Sequence, residues 1–125
     1  MALVLDAGAL AAIDRSDFVV RRQVDEAIRR SVEVVTSAAV VAQVWRNGSR
    51  QALLARLLRG FDIRPLGPAA GRRIGELLAV SRTIDVVDGH VALLVRDGDV
   101  VLTSDPGDIG RLLGSLGLAA SVIQV

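Results

Sequence analysis

The chain has no cysteine, no lysine and no tyrosine among its 125 residues. Without cysteine there are no disulfides, thiolate metal sites or cysteine nucleophiles. Without lysine there is no Schiff-base chemistry and no Walker-type phosphate loop. The aromatic residues are Phe18, Trp45 and Phe61 alone, too few for a surface that binds single strands by stacking bases. The single histidine, His90, excludes any site built on two imidazoles and would have to serve any Ser-His-Asp triad. No apolar run approaches the roughly 18 residues that suggest a membrane span. The opening Met1-Ala2-Leu3-Val4-Leu5-Asp6 lacks the basic start and long apolar stretch of a signal peptide. These absences predict a soluble, cytoplasmic protein with no membrane partner.

What is present suits one folded domain over residues 1–125. Apolar residues make up 51% and charged residues 23%, a globular rather than a disordered balance. All 15 basic residues are arginine, set against 14 acids, so net charge implies no particular partner. Ala2 to Leu5 reads as a buried strand feeding a helix at Asp6-Ala7-Gly8. Residues 17–30 have amphipathic helical spacing. Glu33 to Thr36 is short and β-branched, a second strand, and Ser37 caps a helix running to about Arg46. Asn47-Gly48-Ser49 breaks that helix, with Ser49 as cap of the next over roughly 50–59 and Gly60 as its C-cap. Phe61 to Pro65 reads as a third strand, and Gly67-Pro68 opens a helix to about Val80. Residues 86–96 are helical, with Gly98 closing. Val100 to Thr103 is a buried strand, Ser104-Asp105-Pro106 starts a helix, and Leu118 to Val125 is a final strand. Such alternation predicts an α/β fold with a parallel sheet, helices on both faces and right-handed crossovers.

The distribution of charge says more than its sum. Residues 14–82 hold 13 Arg and seven acids, whereas residues 85–108 hold six Asp and one Arg. Arg46, Arg50, Arg56 and Arg59 form an acid-free stretch, either a solvated helix surface or a stripe that binds phosphate or carboxylate through the guanidinium fork. In an open parallel sheet ligands bind beyond the carboxyl ends of the strands. Asp6 and Asp105 occupy such positions, with Asp108 one turn into the helix after Asp105. Asp85 and Asp88 share one face at the start of another helix. Converging carboxylates repel unless a cation neutralises them. Mg²⁺ or Mn²⁺ suits oxygen ligands, and metal-assisted phosphodiester hydrolysis needs no protein nucleophile. Each Asp has an equally simple local reading: Asp6 and Asp105 as helix caps, Asp108 as the acid at the third position of the same helix start, and Asp85 and Asp88 as acids favoured by a helix dipole. His90 reads as a partly buried polar residue and Trp45 as packing.

Four stretches in order resemble one known family. Val4-Leu5-Asp6-Ala7-Gly8-Ala9-Leu10 is similar to the opening strand and first acid of the PIN-domain nucleases. Thr36-Ser37-Ala38-Ala39-Val40-Val41-Ala42-Gln43-Val44-Trp45-Arg46 resembles their second strand and helix. Val86-Val87-Asp88-Gly89-His90-Val91-Ala92 resembles the helix bearing the next acid. Val101-Leu102-Thr103-Ser104-Asp105-Pro106-Gly107-Asp108-Ile109 resembles the closing Thr-Ser-Asp-Pro-x-Asp motif. The likeness is strongest to the VapC-type toxins of bacterial toxin–antitoxin pairs.

The resemblance implies a three-layer α/β/α sandwich around a mostly parallel sheet. It also implies an endoribonuclease dependent on Mg²⁺ or Mn²⁺, acting on an RNA substrate as a homodimer neutralised by a VapB-type antitoxin. Asp6, Asp88 and Asp105 would be catalytic, metal-binding acids. Asp108 would be a fourth ligand, Asp85 and Gln43 would be supporting groups, and Arg46 and Arg50 would contact RNA or antitoxin. One departure bears on activity. Gln43 stands where the family usually has Glu, which removes a negative charge and a possible base. An alternative expectation is therefore a PIN-like module that binds RNA or antitoxin through a degenerate, weakly active metal site.

Overall fold

The structure, a computed structural model, describes all 125 residues. Five strands, β1 (Ala2–Leu5), β2 (Glu33–Ser37), β3 (Asp62–Arg64), β4 (Val100–Thr103) and β5 (Ser121–Gln124), form one sheet in the order β3-β2-β1-β4-β5. Every neighbouring pair is parallel, so the sheet is wholly rather than mostly parallel. Its centre is apolar on both faces, as a covered parallel sheet requires. Leu3, Val4, Leu5, Val34, Val35, Val101 and Leu102 are all buried.

Seven helices cover the sheet. α1 (Ala7–Asp14) packs with α2 (Phe18–Arg29), α3 (Ala38–Val44) and α4 (Ala52–Leu58). α5 (Pro68–Ser81), α6 (Val86–Leu94) and α7 (Pro106–Leu116) pack on one another as the opposite layer. The three-layer α/β/α architecture expected from sequence is thus present. Leu10 and Ile13 from one helical layer and Ile109 and Leu112 from the other are fully buried. Truncating such a residue to alanine typically costs about 2–5 kcal/mol.

Helix starts follow the expected chemistry closely. Asp6, Asp17, Ser37, Asp85 and Asp105 each cap a helix through the side chain, and Pro68 and Pro106 occupy first-turn positions where no amide is needed. Ser49 departs from expectation. Its amide and hydroxyl both donate to Asn47 Oδ1, at 3.0 and 2.7 Å, so it closes a turn and caps nothing. α4 begins later, at Ala52, after Gln51. Gln51 is consumed elsewhere: its Oε1 accepts from the Arg46 and Asn47 amides, and its Nε2 donates to Asp14 Oδ2 and the Val44 carbonyl. The local preference of serine for caps yields here to one buried amide that joins α1 to the end of α3. Gly60 follows the Arg59 C-cap of α4 instead of being that cap, and the final strand is shorter than Leu118 to Val125.

The carboxyl ends of β1 and β4 meet at close quarters. A Cβ added at Gly8, in the first turn of α1, would lie 2.2 Å from Ser104 Oγ and 2.4 Å from its Cβ. Only glycine lets the α1 start and the turn after β4 approach this closely. Gly8→Ala should therefore destabilise the protein by about 1–3 kcal/mol through overpacking. Urea unfolding checks this, and an unchanged midpoint would show that the turn yields without cost.

Candidate metal centre

The strand order reverses between β1 and β4, and the crevice beyond their carboxyl ends is where such sheets bind ligands. Asp6 ends β1 and is 3% exposed. Its Oδ1 accepts the Ala9 amide at 2.9 Å, capping α1. Its Oδ2 accepts the Thr103 hydroxyl at 2.5 Å and the Ser104 amide at 3.1 Å, both from the end of β4. Three donors make the burial of this carboxylate tolerable. Thr103 Oγ1 in turn accepts the Asp105 amide at 2.8 Å. The hydrogen bonds run from Asp6 through Thr103 to the first residue of the motif at α7.

α6 and α7 open in the same way. Asp85 Oδ1 accepts the Asp88 amide at 2.9 Å, and Asp105 Oδ1 accepts the Asp108 amide at 3.3 Å. Capping accounts for Asp105, as its local reading expected, and also for Asp85, which the sequence offered only as an acid favoured by the helix dipole. It does not account for Asp88 and Asp108, whose carboxylates make no hydrogen bond and no ion pair and are only partly exposed. One carboxylate oxygen from each of Asp88, Asp105 and Asp108 lies within 4.8 Å of the others. Oxygens around a hard cation at about 2.0–2.6 Å stand at most about 4–5 Å apart, so only slight closure would bring all three onto one ion. No arginine or His90 nitrogen lies within 4.0 Å of Asp6, Asp85, Asp88, Asp105 or Asp108, since every ion pair in the protein involves other acids.

The cost of this arrangement falls on Asp88. Burial, followed by the charges of Asp85, Asp105, Asp6 and Asp108, pushes its carboxyl up to about 7. Asp6 is therefore electrostatically part of the group although its oxygens are committed to Ala9, Thr103 and Ser104. α6 is held against relaxation on two sides. A Cβ at Gly89 would lie 3.0 Å from Ile74 Cγ2, which marks close packing on α5. On the other side Ser37 Oγ lies 2.6 Å from His90 Nδ1, with both residues buried. Burial lowers the His90 pKa and favours the neutral ring. Ser37 Oγ already accepts the Ala39 amide, so its hydroxyl is free to donate to Nδ1. His90 is thus a buried packing partner that joins α6 to the start of α3.

Gln43 sits in the last turn of α3 with its side chain exposed. Arg46 folds back on its own segment, donating to the carbonyls of Ala42 and Trp45 at 3.1 and 2.6 Å. Arg50 is exposed and unpaired in the turn before α4. The roles of Thr103 and Gln51 escaped sequence reading, because each acts through a partner at least 37 residues away. The Thr-Ser that precedes Asp105 was the one available signal for Thr103.

No protein-family model matches the chain. A UDP-N-acetylmuramate–L-alanine ligase of Halorhodospira halophila is 38% identical over 82 residues, which is 66% of this chain and 16% of the ligase. The chain thus spans about a sixth of the curated relative it matches. A chain in the crystal structure of VapBC2 from Rickettsia felis, bound to a DNA fragment from their promoter, superposes with a TM-score of 0.69. That likeness covers 98% of this chain and 99% of the other at 14% identity. The protein shares the three-layer α/β/α fold of that VapBC2 chain. At this identity the likeness speaks for the fold alone.

The raised Asp88 carboxyl has a consequence for stability. The folded chain holds that proton more tightly than the unfolded chain does, so ionising Asp88 opposes folding. The penalty is full above about pH 7 and fades as the pH falls toward the unfolded value near 4. Asp88→Asn should melt at a higher temperature than the wild type at pH 8 without divalent cations, and the gap should narrow to less than half by pH 5. Scanning calorimetry at the two pH values reads this directly. A gap of equal size at both would remove carboxylate repulsion as its cause.

Proposed function

We propose that this protein is the toxin of a VapBC-type toxin–antitoxin pair, a cytoplasmic endoribonuclease that hydrolyses RNA phosphodiester bonds with Mg²⁺ or Mn²⁺. The observation that carries the reading is the pair Asp88 and Asp108. Their carboxylates serve no hydrogen bond of the fold, yet they sit beside Asp105 with oxygens mutually within 4.8 Å and no counter-cation at hand. A fold gains nothing from that repulsion, and a divalent cation relieves it.

In this reading Asp88, Asp105 and Asp108 hold the ion. Asp6 adds its charge from behind them and, through Thr103 and the Ser104 amide, aims the turn that presents Asp105. Asp85 caps α6 and adds a further negative charge. When bound, the ion supplies activation of water and charge stabilisation at a phosphate. The chain offers no thiol, no lysine and no free imidazole to act as nucleophile in its place. Gln43 supplies an amide where a carboxylate would strengthen the site. Arg46 and Arg50 lie on the segment after α3, where they would meet the phosphate backbone or an antitoxin. The molecule works as a homodimer and is restrained by a VapB-type antitoxin. The VapBC2 likeness over nearly the whole of both chains supports the toxin reading. The ligase match, confined to 16% of its relative, lends less, and a lysine-free chain cannot supply a Walker-type phosphate loop.

Cleavage of total cellular RNA by antitoxin-free protein tests the proposal. Discrete cuts that require Mg²⁺ or Mn²⁺ are expected. Asp105→Asn is the informative variant, because asparagine caps a helix about as well as aspartate while the charge is lost. It should fold normally and lose at least about 10–100-fold in rate, the loss typical even of residues one shell beyond a metal. Unaltered cutting by Asp105→Asn would remove the site from the reaction.

Gln43 favours a second reading, an RNA- or antitoxin-binding module with a weak metal site. A carboxylate at position 43 within about 5–8 Å of a divalent ion would tighten binding on the order of tenfold. Titration calorimetry of Gln43→Glu with Mn²⁺ measures it. If the gain in affinity comes with a gain in cleavage, the natural site is attenuated. If affinity does not change, Gln43 stands away from the ion.

A further inference from the structure

Every acid of the candidate centre repels the phosphate that the proposed reaction must bring to it. The crevice therefore needs a donor aimed at the substrate as well as ligands for an ion. Few side-chain donors are free. The Thr103 hydroxyl donates to Asp6 Oδ2. The Ser37 hydroxyl faces His90 Nδ1 at 2.6 Å, and both residues are buried. No arginine pairs with Asp6, Asp88, Asp105 or Asp108. Ser104, between Thr103 and Asp105, differs from these. Its amide donates to Asp6 Oδ2 at 3.1 Å, but its hydroxyl makes no hydrogen bond within the chain and the residue is exposed.

The setting of that hydroxyl is closely controlled. Asp6 holds the Ser104 amide, and Thr103 Oγ1 accepts the next amide, that of Asp105, at 2.8 Å. The Ser104 side chain lies against the first turn of α1. A Cβ at Gly8 would collide with Ser104 Oγ and Cβ, whereas the Ser104 amide nitrogen would stand 3.1 Å away. The serine side chain thus needs the glycine more than the backbone beside it does. Glycine in a helix costs stability relative to alanine. A hydroxyl that serves no bond of the fold, with a glycine set aside to seat it, is placed for a partner outside the chain.

We propose that the Ser104 hydroxyl is a substrate contact, donating to a non-bridging oxygen of the phosphate being cleaved, and that Gly8 seats it there. A neutral donor suits this position. An arginine or lysine would pair with the carboxylates and compete with the cation, whereas a hydroxyl offers a proton without a charge. With the backbone fixed on both sides, only χ1 remains to be ordered, so little entropy is lost in aiming it. The inference rests on the phosphodiester-cleaving reading and supplies the substrate side of the same site.

Ser104→Ala tests it, because alanine keeps the Cβ that packs on Gly8 and removes only the hydroxyl. Single-turnover cleavage of an RNA with one mapped cut should slow about 10–100-fold, as for a lost hydrogen bond to a charged group. The urea midpoint and the Mn²⁺ affinity by titration calorimetry should not change. Sulfur is a weak acceptor. Placing it at a non-bridging position of that phosphate should slow the wild type more than Ser104→Ala for one of the two diastereomers, the coupling expected of a direct contact. A second pair of variants separates seating from chemistry. Gly8→Ala loses stability, and adding Ser104→Gly should recover most of it by removing the collision, while cleavage stays as slow as in Ser104→Ala. Recovery of cleavage along with stability would overturn the inference. So would wild-type cleavage by Ser104→Ala, which leaves the nuclease reading intact. A fall in Mn²⁺ affinity matching the fall in rate would assign the hydroxyl to the ion's water shell and likewise overturn it. Wild-type protein that cuts no RNA would remove the nuclease reading and the inference together.

Discussion

The carboxylate of Asp6 joins the two halves of the sheet. β1 is the central strand, with β2 and β3 on one side and β4 and β5 on the other, and the crevice opens where the winding direction reverses. One Asp6 oxygen caps α1. The other draws in the Thr103 hydroxyl and the Ser104 amide from the end of β4. Leaving such a group buried without donors would cost several kcal/mol, so the three donors and the carboxylate stabilise one another's placement. Gly8 is a consequence: a side chain there would push Ser104 away and open the junction. Thr103, held by Asp6, passes the constraint to Asp105 through its amide. The geometry of the acidic centre therefore begins one strand away from it.

Two helices then bring their amino ends together with the same local device. In α6 and α7 an N-cap aspartate accepts the amide of an aspartate three residues on. Each helix end welcomes negative charge, because its free amides and dipole are positive. That local favour is what lets four carboxylates approach without any arginine. It does not cancel their mutual repulsion, which appears in the raised Asp88 carboxyl. Capping and cation binding are thus not competing explanations here. The caps account for Asp85 and Asp105 and bring the other two acids along, and the other two are what a cation would need.

Much of the fold was legible because its signals are local. Four-residue β-branched runs, Asp and Ser caps, Pro at first-turn positions and left-handed glycines report on their own neighbours. Boundaries failed where a distant partner outbid a local preference. Ser49 looks like a cap, but Gln51 reaches from the α4 start to Asp14 and Val44, and the turn between them sets where the helix begins.

The candidate site divides along the same line. By itself the sequence determined that five aspartates stand at strand ends and helix starts and that no cysteine, lysine or second histidine competes with them. It also determined that glutamine stands at position 43, because composition and spacing are properties of the chain alone. Tertiary structure decided which carboxylates meet. It gathered Asp88, Asp105 and Asp108, committed Asp6 to hydrogen bonds behind them, and set His90 against Ser37 instead of against the acids. Those outcomes depend on strand order and helix packing between residues up to 98 apart, which no local pattern encodes.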